Sequence, residues 1–210
     1  MKIGIIGAGA IGTGLGRRLA AAGHQILVSQ SRTPEGLAAA AARIGGGCAT
    51  GTPSEAARHG DVVIVATPWP VTLDLLAPVR DDLRGKIVWD TTNPFGPDMS
   101  ELTLGTTTSA GEEVATLLES AVVVKAIPPF AELLHSASTE ISGRQPAVFV
   151  CGDDAAARGV VAGLVSDVGA EPVQSGPLKM ARFTEPAGML VTNLAYVQGL
   201  GSRIALGVIR

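Results

Sequence analysis

At 210 residues, 46% of them hydrophobic, the chain suits one large or two small domains and can fill a core. A formal charge of −3, with only 16 lysines and arginines and no basic cluster, argues against a nucleic-acid partner. No apolar run reaches membrane-spanning length, and the N-terminus enters a functional strand directly, so no membrane association and a cytoplasmic location are expected. Cys48 and Cys151 then read as buried reduced thiols, and with the scattered His24, His59 and His135 they suggest no metal site.

The first element is a strand, Ile3 to Ile6, feeding the hexapeptide Gly7-Ala8-Gly9-Ala10-Ile11-Gly12, a helix and a second strand, Gln25 to Ser29. This is the pattern of a dinucleotide-binding βαβ unit. Gly7 permits the tight turn, Gly9 lets the backbone approach a pyrophosphate, and Gly12 lets the helix pack against the strand. Free N–H groups around Ala10 and Ile11, at the positive end of the helix, suit phosphate oxygens. With 27 glycines in the chain, the hexapeptide gains its weight from its position.

The second strand ends at Gln30, Ser31, Arg32 and Thr33, where an NAD site normally places an acid. A guanidinium and two hydroxyls instead suit the 2′-phosphate of NADP. The plainer reading makes Arg32 a solvated loop residue and Ser31 or Thr33 a cap for a helix that begins at Pro34; Glu35 is the fallback acid for NAD.

Short runs rich in branched residues follow at Val62 to Ala66, Ile87 to Trp89, Val122 to Lys125 and Val148 to Val150, as in buried parallel strands. Thr52-Pro53-Ser54-Glu55, Ser109-Ala110-Gly111-Glu112 and Gly152-Asp153-Asp154 are helix starts, the last opening a helix from Ala155 to Val168. From Pro177 the spacing is helical, with a break around Gly199 to Gly201. The class is α/β: a Rossmann-type, doubly wound, mostly parallel sheet over residues 1–145, then a small C-terminal α/β portion ending in helix over 146–210.

Ligands of such a sheet sit at the carboxyl ends of its strands. There Ala66-Thr67-Pro68-Trp69 and Asn93-Pro94-Phe95 are the cofactor and acceptor loops, with Pro94 and Phe95 on the acceptor side. Helix packing explains Trp69 equally well, and an Asx turn would account for Asn93. No acid–base constellation assembles, so no catalytic side chain is expected; Tyr196 and Lys125 are the only groups that could be cast as an acid. Hydride transfer between two bound rings needs little beyond proximity and exclusion of water.

The glycine turn, Ser31-Arg32, Val65-Ala66-Thr67-Pro68-Trp69, Asp90-Thr91-Thr92-Asn93-Pro94, Val123-Val124-Lys125-Ala126, Val150-Cys151-Gly152-Asp153-Asp154, Ser175-Gly176-Pro177-Leu178, Ala181-Arg182 and Glu185-Pro186 together resemble the coenzyme F420-dependent NADP oxidoreductase family. The resemblance implies an NADP-binding Rossmann domain, a small C-terminal domain bordering a cleft, a homodimer, and hydride exchange between NADP(H) and the deazaflavin F420 as co-substrate. By position it puts Ser31 and Arg32 on the 2′-phosphate, and Thr67-Pro68 and Ile127-Pro128-Pro129 beside the nicotinamide. In this chain Ile127-Pro128-Pro129-Phe130 follows Lys125-Ala126 directly, a shortened loop whose prolines remove two N–H donors. The acceptor is placed among Pro94, Phe95, Ile127, Pro128, Phe130, Met189 and Asn193. A flavin, ferric chelate, imine or small carbonyl is the alternative acceptor, and a non-catalytic NADPH sensor the remaining alternative.

Overall fold

The computed structural model describes residues 1–31, 33–96 and 99–209. The first half alternates β1 (Lys2–Ile6), α1 (Ala10–Ala21), β2 (Gln25–Ser29), α2 (Pro34–Ile44), β3 (Ala49–Gly51), α3 (Pro53–His59), β4 (Val62–Val65), α4 (Trp69–Leu76) and β5 (Ile87–Asp90). The second half adds α5 (Ala110–Leu117), β6 (Val122–Lys125), α6 (Ala131–His135), β7 (Ala147–Gly152), α7 (Ala155–Asp167), β8 (Glu171–Gly176) and α8 (Ala181–Thr192). One sheet takes all eight strands, in the order β3-β2-β1-β4-β5-β6-β7-β8. Every pairing is parallel except β6 with β7. The fold is a doubly wound α/β sheet of the Rossmann type.

The period of two along each strand builds the layers. In β4, Val62 and Ile64 enter one core cluster while Val63 and Val65 enter the other, and all four are buried. Caps begin the helices where the sequence signals them. Thr52 and Glu55 form a reciprocal capping box on α3, Ser109 accepts from the Glu112 N–H on α5, and Asp154 accepts from the Ala157 N–H on α7.

Three features depart from the sequence expectation. The run at Val148 to Val150 is a strand, but it lies antiparallel to β6 and parallel only to β8. β3 and β8 are edge strands without a branched apolar run; Pro172 sits in β8, where an edge tolerates a missing donor. α8 passes into a π-helical turn, Asn193–Val197, before the glycine break. The division expected at residue 145 falls between α6 and β7, whose flanking strands share the sheet.

β1 and β4 are parallel neighbours from which successive strands are added in opposite directions across the sheet, and this switch in winding opens a crevice at their carboxyl ends.

Candidate active site

The glycine turn occupies one wall of that crevice. Gly7 has φ +122°, and a Cβ there would come 2.3 Å from the Ala66 carbonyl oxygen at the end of β4. A Cβ on Gly12 would come 1.9 Å from the Gly7 oxygen, so α1 can start this close to β1 only with glycine. At Gly9 nothing lies within 4 Å of the Cβ position. The open side of Gly9 therefore faces ligand space. Gly9 is also the N-cap of α1, with no side chain capping the helix and no acid in its first turn. The first-turn N–H groups of α1 meet an incoming anion without competition, which fits a pyrophosphate.

At the end of β2, Ala8 N–H donates to the Gln30 oxygen, and Gln30 adopts φ +63°. The Ser31 and Thr33 hydroxyl oxygens converge on Gly36, 2.6 and 3.2 Å from its Cβ position. Thr33 caps α2, its hydroxyl oxygen accepting from the Gly36 N–H at 3.1 Å. Two hydroxyls at a helix N-terminus fit a ribose phosphate. Arg32 lies outside the described residues.

From the turn a cleft of about 550 Å³ runs along the strand ends. Gly9, Ala10 and Ile11 line its head, with Ala66, Thr67, Pro68 and Trp69 from β4 and α4, and Asn93 and Phe95 after β5. Ile127, Pro128, Pro129 and Phe130 follow from the segment after β6. Gly7, Ala8, Gly12, Ser31, Thr33, Pro94, Met189 and Asn193 do not line the cleft. Gly7, Ala8 and Gly12 shape its head from behind, and α8 presents Thr184, Gly188, Val191 and Thr192 to it instead of Met189. The sequence reading missed these four, along with Pro146 and Phe149 of the C-terminal portion and the tail residues Ile204, Ala205 and Leu206. The tail is held by the Ala147 N–H donating to the Leu206 oxygen at 2.9 Å.

Among the described residues lining the cleft, none is ionisable. The two groups that could be cast as acids are engaged elsewhere. Tyr196, on the π turn, donates to the Glu132 carboxylate at 3.1 Å and sets its ring edge-on to Phe130, centroids 5.4 Å apart. Burial, with the Glu132 carboxylate, pushes its hydroxyl up to about 12, a poor proton donor at neutral pH.

Lys125 is fully buried, its Nζ 2.9 Å from Asp90 Oδ2 and 2.9 Å from Glu185 Oε1, and it also donates to the Thr92 oxygen. Burial alone would lower its pKa, but the Asp90 and Glu185 carboxylates outweigh it and hold the ammonium above its ordinary value. Glu185 accepts from the Ala110 and Gly111 N–H groups at 3.0 Å each, so the N-terminus of α5 offsets the second carboxylate. Asp90 accepts from the Thr92 N–H at 2.9 Å. This triad fastens β5, β6, α5 and α8 directly behind the cleft. Beside it, burial pushes the Cys151 thiol up to about 12, which leaves it unreactive.

The far wall is fixed by cations on α1. Arg18 donates to the Leu133, Leu134 and Ser136 oxygens, and Arg17 to that of His135, at the end of α6. The Ile127 to Phe130 segment is thereby tied to the helix that carries the glycine turn.

Comparison with known proteins agrees with this geometry. Residues 2–94 match the family described as "NADP oxidoreductase coenzyme F420-dependent". The F420-dependent NADP reductase of Methanocaldococcus jannaschii is 30% identical over 159 residues, covering 71% of this chain and 70% of that protein. The enzyme of the same name from Methanothermobacter thermautotrophicus is 30% identical, covering 92% of this chain and 89% of that protein. A crystal structure from Arthrobacter sp. FB24, of a chain provisionally assigned as an F420-dependent NADP reductase, superposes with a TM-score of 0.88 at 24% identity and full coverage of both chains, which shows the shared fold.

Proposed function

Since the chain belongs to the coenzyme F420-dependent NADP oxidoreductase family, we propose that it moves a hydride between NADP(H) and the deazaflavin F420. The observation that carries this reading is the cleft: it begins at the open side of Gly9, and no described residue lining it is ionisable. When bound, the nicotinamide supplies the hydride and the deazaflavin ring receives it. The protein's task is then to hold two flat rings together away from water.

Gly7 to Gly12 hold the pyrophosphate, and Ser31, Arg32 and Thr33 the 2′-phosphate. Ala66, Thr67, Pro68, Trp69, Asn93 and Pro129 border the nicotinamide half of the cleft, while Phe95, Ile127, Pro128 and Phe130 border the acceptor half. Residues 1–145 carry the cofactor and 146–210 close the acceptor side, through Phe149, α8 and the tail. We also assign a cytoplasmic homodimer. The exposed apolar side chains of Phe183, Leu190, Val197 and Leu200 support pairing, and among the described residues no helix is long and apolar enough to cross a membrane.

Cofactor choice is the first expected outcome. NADPH binds at least ~30-fold tighter than NADH, equivalent to about 2 kcal/mol from charge-assisted contacts to the 2′-phosphate. Arg32→Ala erases most of that preference and leaves NADH binding unchanged. Titration of both cofactors checks it, and equal affinities for the unmodified chain would refute the NADP assignment. The function itself is tested by mixing the protein with NADPH and F420, with NADPH and riboflavin, or with NADPH alone. Rapid NADPH consumption only with F420 is expected; equal rates in all three mixtures, or none with F420, contradict the reading.

A further inference from the structure

An acceptor held in the cleft brings more than its ring. F420 carries, beyond the deazaflavin, a ribityl chain, a phosphodiester and glutamyl carboxylates, whereas no described residue lining the cleft is ionisable. Burying those charges there without a partner is costly, so the anionic chain has to leave the cleft. A second cavity, of about 470 Å³, adjoins the cleft and shares Pro146, Ala205 and Leu206 with it as a common wall. That wall is pinned on both sides: the Ala147 N–H donates to the Leu206 oxygen and the Glu171 N–H to the Pro146 oxygen, each at 2.9 Å.

Arg144 is the one cation among the described residues lining either cavity. A tight turn fixes its backbone. Ile141 and Arg144 exchange both main-chain hydrogen bonds, at 2.9 and 3.1 Å, and Ser142 and Gly143 between them take φ +52° and +74°, the left-handed pair that a two-residue hairpin favours. The Arg144 side chain is exposed, and among the described residues no hydrogen bond or ion pair engages it. Arg203, one residue before Ile204 on the tail, donates to the Glu140 oxygen at 3.3 Å and brings a second guanidinium to the same turn. Glu171 is the one described acid lining either cavity, and it opposes an anion.

We infer that Arg144 docks the anionic chain of the acceptor, with the second cavity as the channel by which that chain leaves the cleft. A guanidinium pairs bidentately with a phosphate or a carboxylate, so either oxyanion of the chain suits it. The inference rests on the hydride-transfer reading for its choice of acceptor, and on the unengaged guanidinium beside the cleft for the site.

The full chain and its Arg144→Gln variant are titrated, with NADP+ present, against three acceptors followed by deazaflavin fluorescence: F420, the same molecule without its glutamates, and the ring with its ribityl chain alone. The parent binds F420 about fivefold tighter than the ribityl fragment at low salt, the upper end for an exposed charge pair, and the gap closes as salt is raised. Arg144→Gln brings F420 to the affinity of the fragment and leaves the fragment and NADPH unchanged. Glu171→Gln removes the opposing charge and tightens F420 alone. The glutamate-free acceptor identifies the docked group: bound like F420 it assigns the phosphodiester, and bound like the fragment it assigns a glutamyl carboxylate. Equal affinity of the parent for F420 and the fragment, or an Arg144→Gln effect that is below twofold or the same on both, overturns the inference. Reduction of F420 by NADPH is read separately on the parent. If it fails while F420 still binds through Arg144, the hydride-transfer reading falls and the anion site stands.

Discussion

A Gly9→Val variant loses at least ~100-fold in NADPH affinity and keeps its fold, the expected consequence of a branched side chain against a pyrophosphate. The structure supplies the second half of that statement. Gly9 has φ −76° and ψ −171°, an extended conformation that valine adopts readily, and its Cβ position meets no protein atom within 4 Å. The new side chain therefore projects only into the space assigned to the phosphates. Gly7 and Gly12 offer no such clean experiment, because a Cβ at either collides with backbone and would disturb the turn itself. Calorimetric titration with NADPH, beside a thermal melt and circular dichroism, checks the prediction. A folded variant that binds NADPH as the parent does would place the dinucleotide elsewhere.

Replacing Lys125 by methionine, similar in length and without charge, is expected to destabilise the chain by about 3–5 kcal/mol, the usual cost of removing one partner from a buried ion pair. Asp90 and Glu185 would then face each other across the site that the ammonium fills, with only the N–H groups of Ala110, Gly111 and Thr92 to compensate. Denaturant titration reads the loss. The pH dependence follows from the direction of the lysine shift. A pKa held above the unfolded value contributes stability that is fully present below the unfolded pKa and is lost as pH rises through the folded one, so the contribution of the lysine persists through the neutral range and is lost in alkali. Because Lys125 does not line the cleft, the hydride step of the folded variant should change by less than the 10²-fold or so typical of lost acid catalysis. Unchanged stability with a large loss of rate would make Lys125 a proton donor instead.

The glycine-turn end of the cleft was legible because a short-range pattern encodes it: the glycine spacing and the strand before it lie within the first 12 residues, and Gly9, Ala10 and Ile11 do line the cleft. The central strands were legible for a similar reason, since β4 and β6 are runs of branched residues buried throughout or nearly so. The edges were not. β3 is three residues long, and β8 is only partly buried and carries Glu171, Pro172 and Gln174, so neither has the hydrophobic signature of a core strand. The orientation of β7 was hidden because a strand's side-chain period is the same whichever way it pairs.

The side of the cleft formed by α8 and the tail was read less well, for two physical reasons. The large apolar residues of α8 do not mark its cleft-facing side: Phe183 and Leu190 are exposed, while smaller residues at 184, 188, 191 and 192 face the cleft. Hydrophobic spacing therefore gives no pointer to the residues that line the cleft, and Met189 and Asn193, placed with the acceptor, do not line it. The tail wall at Ile204 to Leu206 depends on a hydrogen bond from Ala147, far away in sequence, and no local motif announces it. Motif segments noted for their resemblance turn out to be fasteners. Glu185 joins the Lys125 triad, Arg182 makes a bidentate pair with Glu112 at 2.7 and 2.8 Å, and Asp153 accepts from the Leu178 N–H. A sequence shows such residues as a pattern, but their partners only in the folded chain.

The central claim is direct transfer of hydride between two rings without a side-chain acid. It is tested most directly by single turnover with NADPH carrying deuterium at its transferable position, using the parent and Tyr196→Phe. The account predicts a primary isotope effect on F420 reduction, deuterium recovered in the reduced deazaflavin, and a rate for Tyr196→Phe within the 10²-fold or so that marks lost acid catalysis. Label lost to solvent, or a larger rate loss in a folded Tyr196→Phe variant that still binds NADPH, would contradict it.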